Sequence, residues 1–273
     1  MTANLTMREP EQPGAGGQTD LLTVDDITLQ YKTSQHLVTA TYKVGFSVQE
    51  SERYVILGPS GCGKSTLLKA IGGFMAPVSG KITIGGRPIT GPGPDRMMVF
   101  QEFEQLMPWK TVLQNVEFPM RATGRFSRVE ARDRAIAMID RVKLGKFRDV
   151  YPHMLSGGMK MRVALARAMA LEPSVLLMDE PFAALDALTR REMQEELLGL
   201  WEQFRFTVLF VTHSIEEAIL VGSRILVLSP HPGRVRAELD ASRFRFNEID
   251  NAEFGAFSKR IHGLLFGAGS RVA

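Results

Sequence analysis

Apolar and polar residues alternate along Leu21–Lys32 (LLTVDDITLQYK) and again along Leu37–Glu50 (LVTATYKVGFSVQE). This period of two, interrupted by turn residues, predicts a pair of antiparallel strands with one face buried. Tyr54–Gly58 (YVILG) is a short unbroken apolar run, which predicts a strand buried on both faces. A helical pattern follows in KSTLLKAIGGF, then a strand in GKITIGG, loops in RPITGPGP, and a strand in DRMMVFQE that ends near Phe100. From about Phe103 to His153 the period becomes mostly helical. After Ala170 strand and helix alternate again. SVLLMDE and TVLFVTH predict buried strands, LTRREMQEELLGLWEQF and SIEEAILVG predict helices, and RILVLSPHPGRV predicts strand, turn and strand. Near the end, Phe254, Phe257, Ile261, Leu264 and Leu265 fall at helical spacing, as the docking face of a last helix does.

Buried strands alternating with helices imply an α/β fold with a mainly parallel sheet covered on both faces. The helical stretch interrupts that alternation as an insertion at about 103–160, and no internal repeat is present. Residues 21–240 are expected to form one domain and 241–273 a helical tail, which is too short for a folded regulatory domain. Residues 1–20 are rich in Gly, Pro and polar side chains and lack the apolar core of a signal peptide, so they are expected to be a disordered tail.

Composition narrows the class. The 273 residues are 44% hydrophobic and 23% charged, ordinary for a soluble globular protein. A formal net charge of +3 gives no argument for a nucleic-acid partner. A lone cysteine, Cys62, excludes an internal disulfide framework and fits a reducing compartment. No apolar run reaches the length of about eighteen residues that reads as a membrane span. Basic residues crowd the insertion: Arg121, Arg125, Arg128, Arg132, Arg134, Arg141, Lys143, Lys146 and Arg148. Interleaved Glu130, Asp133, Asp140 and Asp149 point to a solvated helix face there.

The chemistry starts at Gly58–Thr66 (GPSGCGKST), a full match to G-x-x-x-x-G-K-[ST] between an apolar strand and a helix. Gly61 and Gly63 let backbone N–H groups close around phosphates, Lys64 adds a positive charge, and the Ser65 hydroxyl is a candidate Mg²⁺ ligand. A second opening of the same kind lies at Leu155–Ala170 (LSGGMKMRVALARAMA), where a Ser-Gly-Gly turn starts a helix with unpaired N–H groups. Two phosphate cradles in a chain sized for one nucleotide need an explanation. VLLMDEP brings Asp179 to the carboxyl end of a buried strand, where such sheets bind ligands, followed by Glu180. Alone, Asp-Glu there is a strand meeting its turn. His213 by itself reads as a core or capping histidine, and Gln101 is mute. Both, however, end predicted strands of the sheet that carries the glycine loop.

The order GPSGCGKST, FQE, LSGGM, LLMDEP, AALD, VTH resembles the nucleotide-binding subunit of ATP-binding cassette transporters, over about Leu21–Asp240. The resemblance implies a P-loop NTPase (RecA-like) core with an N-terminal antiparallel β subdomain and an inserted α-helical subdomain. It also explains the second cradle. In that family two cassettes pack head to tail around two ATP molecules, and each Ser-Gly-Gly helix start covers the γ-phosphate held by its partner. By resemblance, Gly58, Pro59, Ser60, Gly61, Cys62, Gly63, Lys64, Ser65 and Thr66 bind the phosphates. Ser65, Gln101 and Asp179 serve Mg²⁺, Glu180 is the general base, and His213 binds the γ-phosphate. Ser156, Gly157 and Gly158 cap the partner's ATP, Asp186 crosses the same interface, and Tyr31 stacks on adenine. The choice of ATP over GTP rests on the resemblance.

Two departures stand out. Met159, followed by Lys160 and Met161, replaces the usual Gln after the second glycine of the signature, and Ala183-Ala184 replaces a frequent Ser or Gly. LMPWKTVLQNVEFPM, DEPFAALDALTRREMQEELLGLWE and LSPHPGRV resemble the nitrate/sulfonate/taurine importer group. That implies transmembrane permease subunits and, indirectly, a solute-binding protein as partners, at the cytoplasmic face of the membrane. In the family, the region of Met107, Pro108 and Trp109 forms a groove for a permease helix; packing inside the insertion is the other reading of Trp109. The alternatives are the motor of an exporter or lipid-trafficking complex and, with less support, a soluble cassette acting on DNA or ribosomes.

Overall fold

The computed structural model describes residues 20–32, 36–100, 105–249 and 251–267. The period-two segments form β1 (Leu22–Lys32) and β2 (Leu37–Val48), paired antiparallel. With β4 (Ser79–Ile84) and β5 (Arg87–Pro88) they make a four-stranded sheet in the order β2-β1-β4-β5. The unbroken apolar runs form the second sheet: β3 (Arg53–Leu57), β6 (Arg96–Val99), β7 (Val175–Asp179), β8 (Thr207–Thr212) and β9 (Arg224–Leu228), closed at one edge by β10 (Val235–Asp240). Its order is β10-β9-β3-β8-β7-β6, parallel throughout except for β10.

Side chains of the parallel strands divide between two cores, as strand alternation requires. Val55, Leu57, Leu176, Met178, Val208 and Phe210 face the helices that follow the insertion. Tyr54, Ile56, Leu177, Leu209, Val211 and Leu226 face α1 (Lys64–Ile71) and the antiparallel sheet. The sheet is thus covered on both faces, one of them by β-structure as well as helix. Parallel sheets expose neither face, and this pairing of layers supplies the cover.

Among its described residues the insertion contains α2 (Val112–Ala122) and α3 (Arg128–Arg141), with short 3₁₀ turns at Gly145–Phe147 and Pro152–Met154, leading into α4 (Gly157–Met169). Thr111 with Gln114, and Ser127 with Glu130, form reciprocal capping boxes that fix where α2 and α3 begin. The basic stretch is solvated at Arg121, Arg125, Arg128, Arg132, Lys143 and Lys146, as its pattern implies, but not throughout. Arg134 stacks on Phe126 at 4.6 Å and pairs with Glu172, and Arg141 lies 4.4 Å from the Phe204 ring. The cause is that long cationic side chains lay their stems and planar heads on apolar surface. Beyond β7 come α5 (Ala187–Phe204), α6 (Ile215–Val221) and α7 (Ala252–Phe266). α7 buries Phe254, Phe257, Ile261 and Leu265 against the same core as α6 and β9, with Leu264 partly buried.

Candidate functional site

Because β3, β7 and β8 are adjacent and parallel, their carboxyl ends share one edge. Gly58 follows β3, Asp179 ends β7, and His213 follows β8. Five side chains meet there. Ser65 Oγ donates to Asp179 Oδ1 at 2.9 Å. Lys64 is 4% exposed and donates through Nζ to the Gly58 and Pro59 carbonyls at 2.9 and 3.1 Å, with Glu180 Oε1 at 3.6 Å. His213 Nδ1 lies 2.8 Å from Glu180 Oε2. A carboxylate only accepts, so this contact puts a proton on Nδ1; Nε2 accepts in the neutral ring and donates in the imidazolium. Glu180 therefore lies between one lysine and one histidine. His213 is neither buried nor a cap; it stands half-exposed at the mouth.

Backbone strain aims Glu180. Its φ is +44°, a left-handed conformation rare for a side chain of this size. It is held there by its own N–H donating to Val211 O at 3.0 Å and by Ala183 N donating back to its carbonyl at 3.1 Å. Burial pushes the Asp179 carboxyl up, against the Ser65 hydrogen bond, while the charge of Glu180 adds to the rise and Lys69 and Lys64 oppose it. Oxygen donors of this kind suit a hard cation such as Mg²⁺.

The glycine loop is braced from behind. Cys62 N donates to Pro59 O at 3.3 Å, and the buried Cys62 thiol sits under Gly58. Gly63 has φ +95°, and a Cβ there would lie 2.6 Å from Ala40 O of β2. Ala40 and the turn at Gly233 are joined by Gly233 N donating to Ala40 O at 2.9 Å. Gly63→Ala is expected to lower stability by about 1–3 kcal/mol and to weaken nucleotide binding. Thermal melts and ATP titration would measure both, and wild-type values would show that β2 does not shape the loop. Tyr31, 41% exposed, pairs with Val38, two residues before Ala40.

The second cradle is built at the start of α4. Ser156 is its N-cap and accepts from Met159 N at 3.3 Å. Met159 thus keeps the cap through its backbone, while its side chain packs against the core. A Cβ on Gly158 would lie 3.0 Å from Thr189 Cγ2, so glycine allows α4 to approach the first turn of α5. Asp186 caps α5, accepting from Thr189 N at 3.0 Å; that hydrogen bond holds its carboxyl below the usual range. Ser156 and Asp186 are both exposed. Among the described residues, neither bonds to Lys64, Ser65 or Glu180 within the chain. Gln101 lies outside the described residues. Trp109 is 72% exposed, so it is not packed inside the insertion.

Arg190, Gln194 and Glu217 are not singled out by any motif in the sequence. Arg190 donates to Phe182 O and Leu185 O at 3.2 and 2.8 Å, and buried Gln194 donates to buried Glu217 at 2.9 Å. The available signal was Gln194 itself, a polar residue on the stripe of Met193, Leu197 and Leu200 that α5 buries.

The ABC transporter family model matches residues 42–183. The taurine import ATP-binding protein TauB of Rhizobium johnstonii is 48% identical over 237 residues, covering 84% of this chain and 89% of that protein. The bicarbonate transport ATP-binding protein CmpD of Synechocystis sp. is 44% identical over 216 residues, covering 78% of this chain and 76% of that protein. Among solved structures, the dimeric post-hydrolysis state of the ATP-binding cassette MJ0796, bound to ADP and Pi, aligns with TM-score 0.70 and 34% identity over 82% of this chain and all of that one. With the glycine loop, the Asp-Glu strand end and the Ser-Gly-Gly helix in place, the chain belongs to the ABC transporter family and is one of its ATPase subunits.

Proposed function

We infer that the chain energises a small-solute importer, working as a head-to-tail pair with a second copy of itself. The observation that carries this reading is the convergence of Lys64, Ser65, Asp179, Glu180 and His213 in front of one glycine loop. The loop Gly58–Thr66 would take the phosphates of ATP, with Lys64 on the outer ones and Tyr31 on the adenine. Lys64 now spends donors on two carbonyls and on Glu180, and an entering γ-phosphate would compete for the last of these. Ser65 and Asp179, joined by Gln101, would hold Mg²⁺, which when bound neutralises phosphate charge. Glu180 would accept the proton of the attacking water. His213, with Nδ1 on Glu180, would turn Nε2 to the γ-phosphate side and donate to it when the ring carries both protons. Ser156, Gly157, Gly158 and Asp186 would close over the nucleotide of the partner copy.

No helix among the described residues is long and apolar enough to cross a membrane. The spanning path would therefore belong to permease subunits, with this chain peripheral on the cytoplasmic face and a solute-binding protein delivering cargo to them. A groove of about 570 Å³ lined by Phe74, Met98, Phe100, Met107, Phe118 and Pro119 supports a permease contact. Trp109 stands two residues beyond Met107. Trp109→Glu is expected to leave stability within about 0.5 kcal/mol, as substitutions at exposed sites do, and to leave ATP binding intact while abolishing solute uptake. Unchanged uptake would remove Trp109 from the contact.

The names of the relatives point to small anionic or zwitterionic solutes, and we assign this chain's importer to the nitrate/sulfonate/taurine group. The test is uptake of labelled taurine, alkanesulfonates, nitrate and bicarbonate in cells lacking the chain, complemented with wild type or Glu180→Gln. Loss of one uptake, restored by wild type alone, is the expected result. Unchanged uptake across the panel would overturn the cargo class.

A further inference from the structure

Two loops carry the residues that face the nucleotides. One runs from Glu180 to Asp186 and the other follows β8 through His213. They arise from different strands, yet a buried polar cluster behind them joins the helices they lead into. Arg190, on α5, donates to the carbonyls of Phe182 and Leu185 and so holds the Glu180–Asp186 loop against its own helix. One turn further on, at i+4, Gln194 Nε2 donates to Glu217 Oε1 of α6 at 2.9 Å. Glu217 N donates to Ser214 Oγ, and Ser214 N to Thr212 Oγ1 at 3.0 Å, so the residues flanking His213 are tied to the helix that bears Glu217. Gln194 and Glu217 are 5% and 7% exposed. A charged or amide side chain at such depth is held only by its partners. Burial pushes the Glu217 carboxyl up; hydrogen bonds from Thr212 and Gln194 and the charges of Arg190 and His213 act the other way.

We propose that Arg190, Gln194 and Glu217 form a latch that fixes the loop bearing Asp186 relative to the turn bearing His213. The three are positioning residues. Asp186 is exposed, where the inferred pairing would bring the partner copy, whereas His213 bonds the base of this chain's own site. A rigid link between them lets the arrival of the partner set the geometry of the Glu180–His213 pair. This rests on the roles inferred above for Asp186 and His213. Its expected signature is a loss of kcat with nucleotide binding unchanged, because Lys64 and the glycine loop lie on other elements.

The test uses the full chain, with steady-state ATP hydrolysis, equilibrium binding of a fluorescent ATP analogue and thermal melts. Glu217→Gln keeps an acceptor for Gln194 and is expected to hold kcat within about threefold of wild type. Glu217→Leu combined with Gln194→Met removes both members of that pair together; Thr212 loses its acceptor but keeps the bond it accepts from Ser214 N, so the melting temperature should fall only modestly. We expect its kcat to fall by about tenfold or more, with nucleotide affinity within about threefold. Arg190→Met, at a partly exposed position, should behave the same way. A purely structural role predicts wild-type kcat wherever the fold is kept, and that result in the double variant and in Arg190→Met overturns the latch. Should the double variant not fold, Arg190→Met decides alone. His213→Ala is the control: wild-type turnover there would overturn the role of His213 itself, a different failure from that of the latch.

Discussion

Replacing Glu180 by glutamine is expected to lower ATP turnover by about 10²–10⁴-fold, the range a positioned general base contributes, while leaving ATP bound. Glutamine has the same length, and its amide oxygen can still accept from His213 Nδ1, so the pair seen at 2.8 Å has a substitute. It has no basic oxygen for the proton of water. It also removes the negative charge 3.6 Å from Lys64 Nζ, which frees that ammonium for phosphate. ATP affinity should therefore hold or rise as hydrolysis fails. The inferred pair of chains, which separates on hydrolysis, should accumulate at millimolar ATP and Mg²⁺. Size-exclusion chromatography with light scattering would read the dimer and phosphate release the rate. Wild-type turnover would place the base elsewhere. A variant that stays monomeric with ATP bound, even with its membrane partner present, would overturn the head-to-tail pair.

What the sequence made legible follows from where the physics is local. β3, β7 and β8 announce themselves because strands buried on both faces need unbroken apolar runs; the β3 run stops at the glycine loop, and those of β7 and β8 stop at polar residues of the site edge. The glycine loop is legible because phosphate approach excludes Cβ atoms at fixed spacing. The cover on one face of the parallel sheet was not legible in the same way. It depends on Ala40 of β2 abutting Gly63, a contact between segments that no periodicity links. Arg134 and Arg141 look solvated in a pattern of alternating charges, and only the placement of Phe126 and Phe204 draws them in. Arg190, Gln194 and Glu217 lay hidden for a similar reason. A buried hydrogen bond spanning 23 residues leaves no trace in sequence beyond one polar residue on an apolar stripe.

Two variants that are each inactive should regain activity when mixed, and this result follows from the separation of the two cradles. Lys64→Ala removes the cation that holds the glycine loop carbonyls and would meet the phosphates, so that chain should not bind ATP. Gly157→Asp puts a carboxylate in the first turn of α4. A negative charge is favourable for the helix there, so the chain should fold, but it repels a facing γ-phosphate. This second chain should bind ATP and fail to hydrolyse it. If each cradle served its own chain's nucleotide, mixing would change nothing. In a head-to-tail pair, the mixed dimer carries one site with both defects and one with neither: the loop of the Gly157→Asp chain faces the Ser-Gly-Gly turn of the Lys64→Ala chain. With random mixing half the dimers are mixed and each keeps one of two sites, so recovery should reach roughly a quarter of wild-type turnover. Cooperation between the two sites would pull it lower, and hydrolysis rates across a mixing series would show by how much. The geometry already inclines to this outcome, because Ser156 and Asp186 lie together through the Gly158–Thr189 contact, facing outward, with no bond to Lys64 or Glu180 among the described residues. A flat response at the wild-type-free baseline would mean that each chain completes its own site.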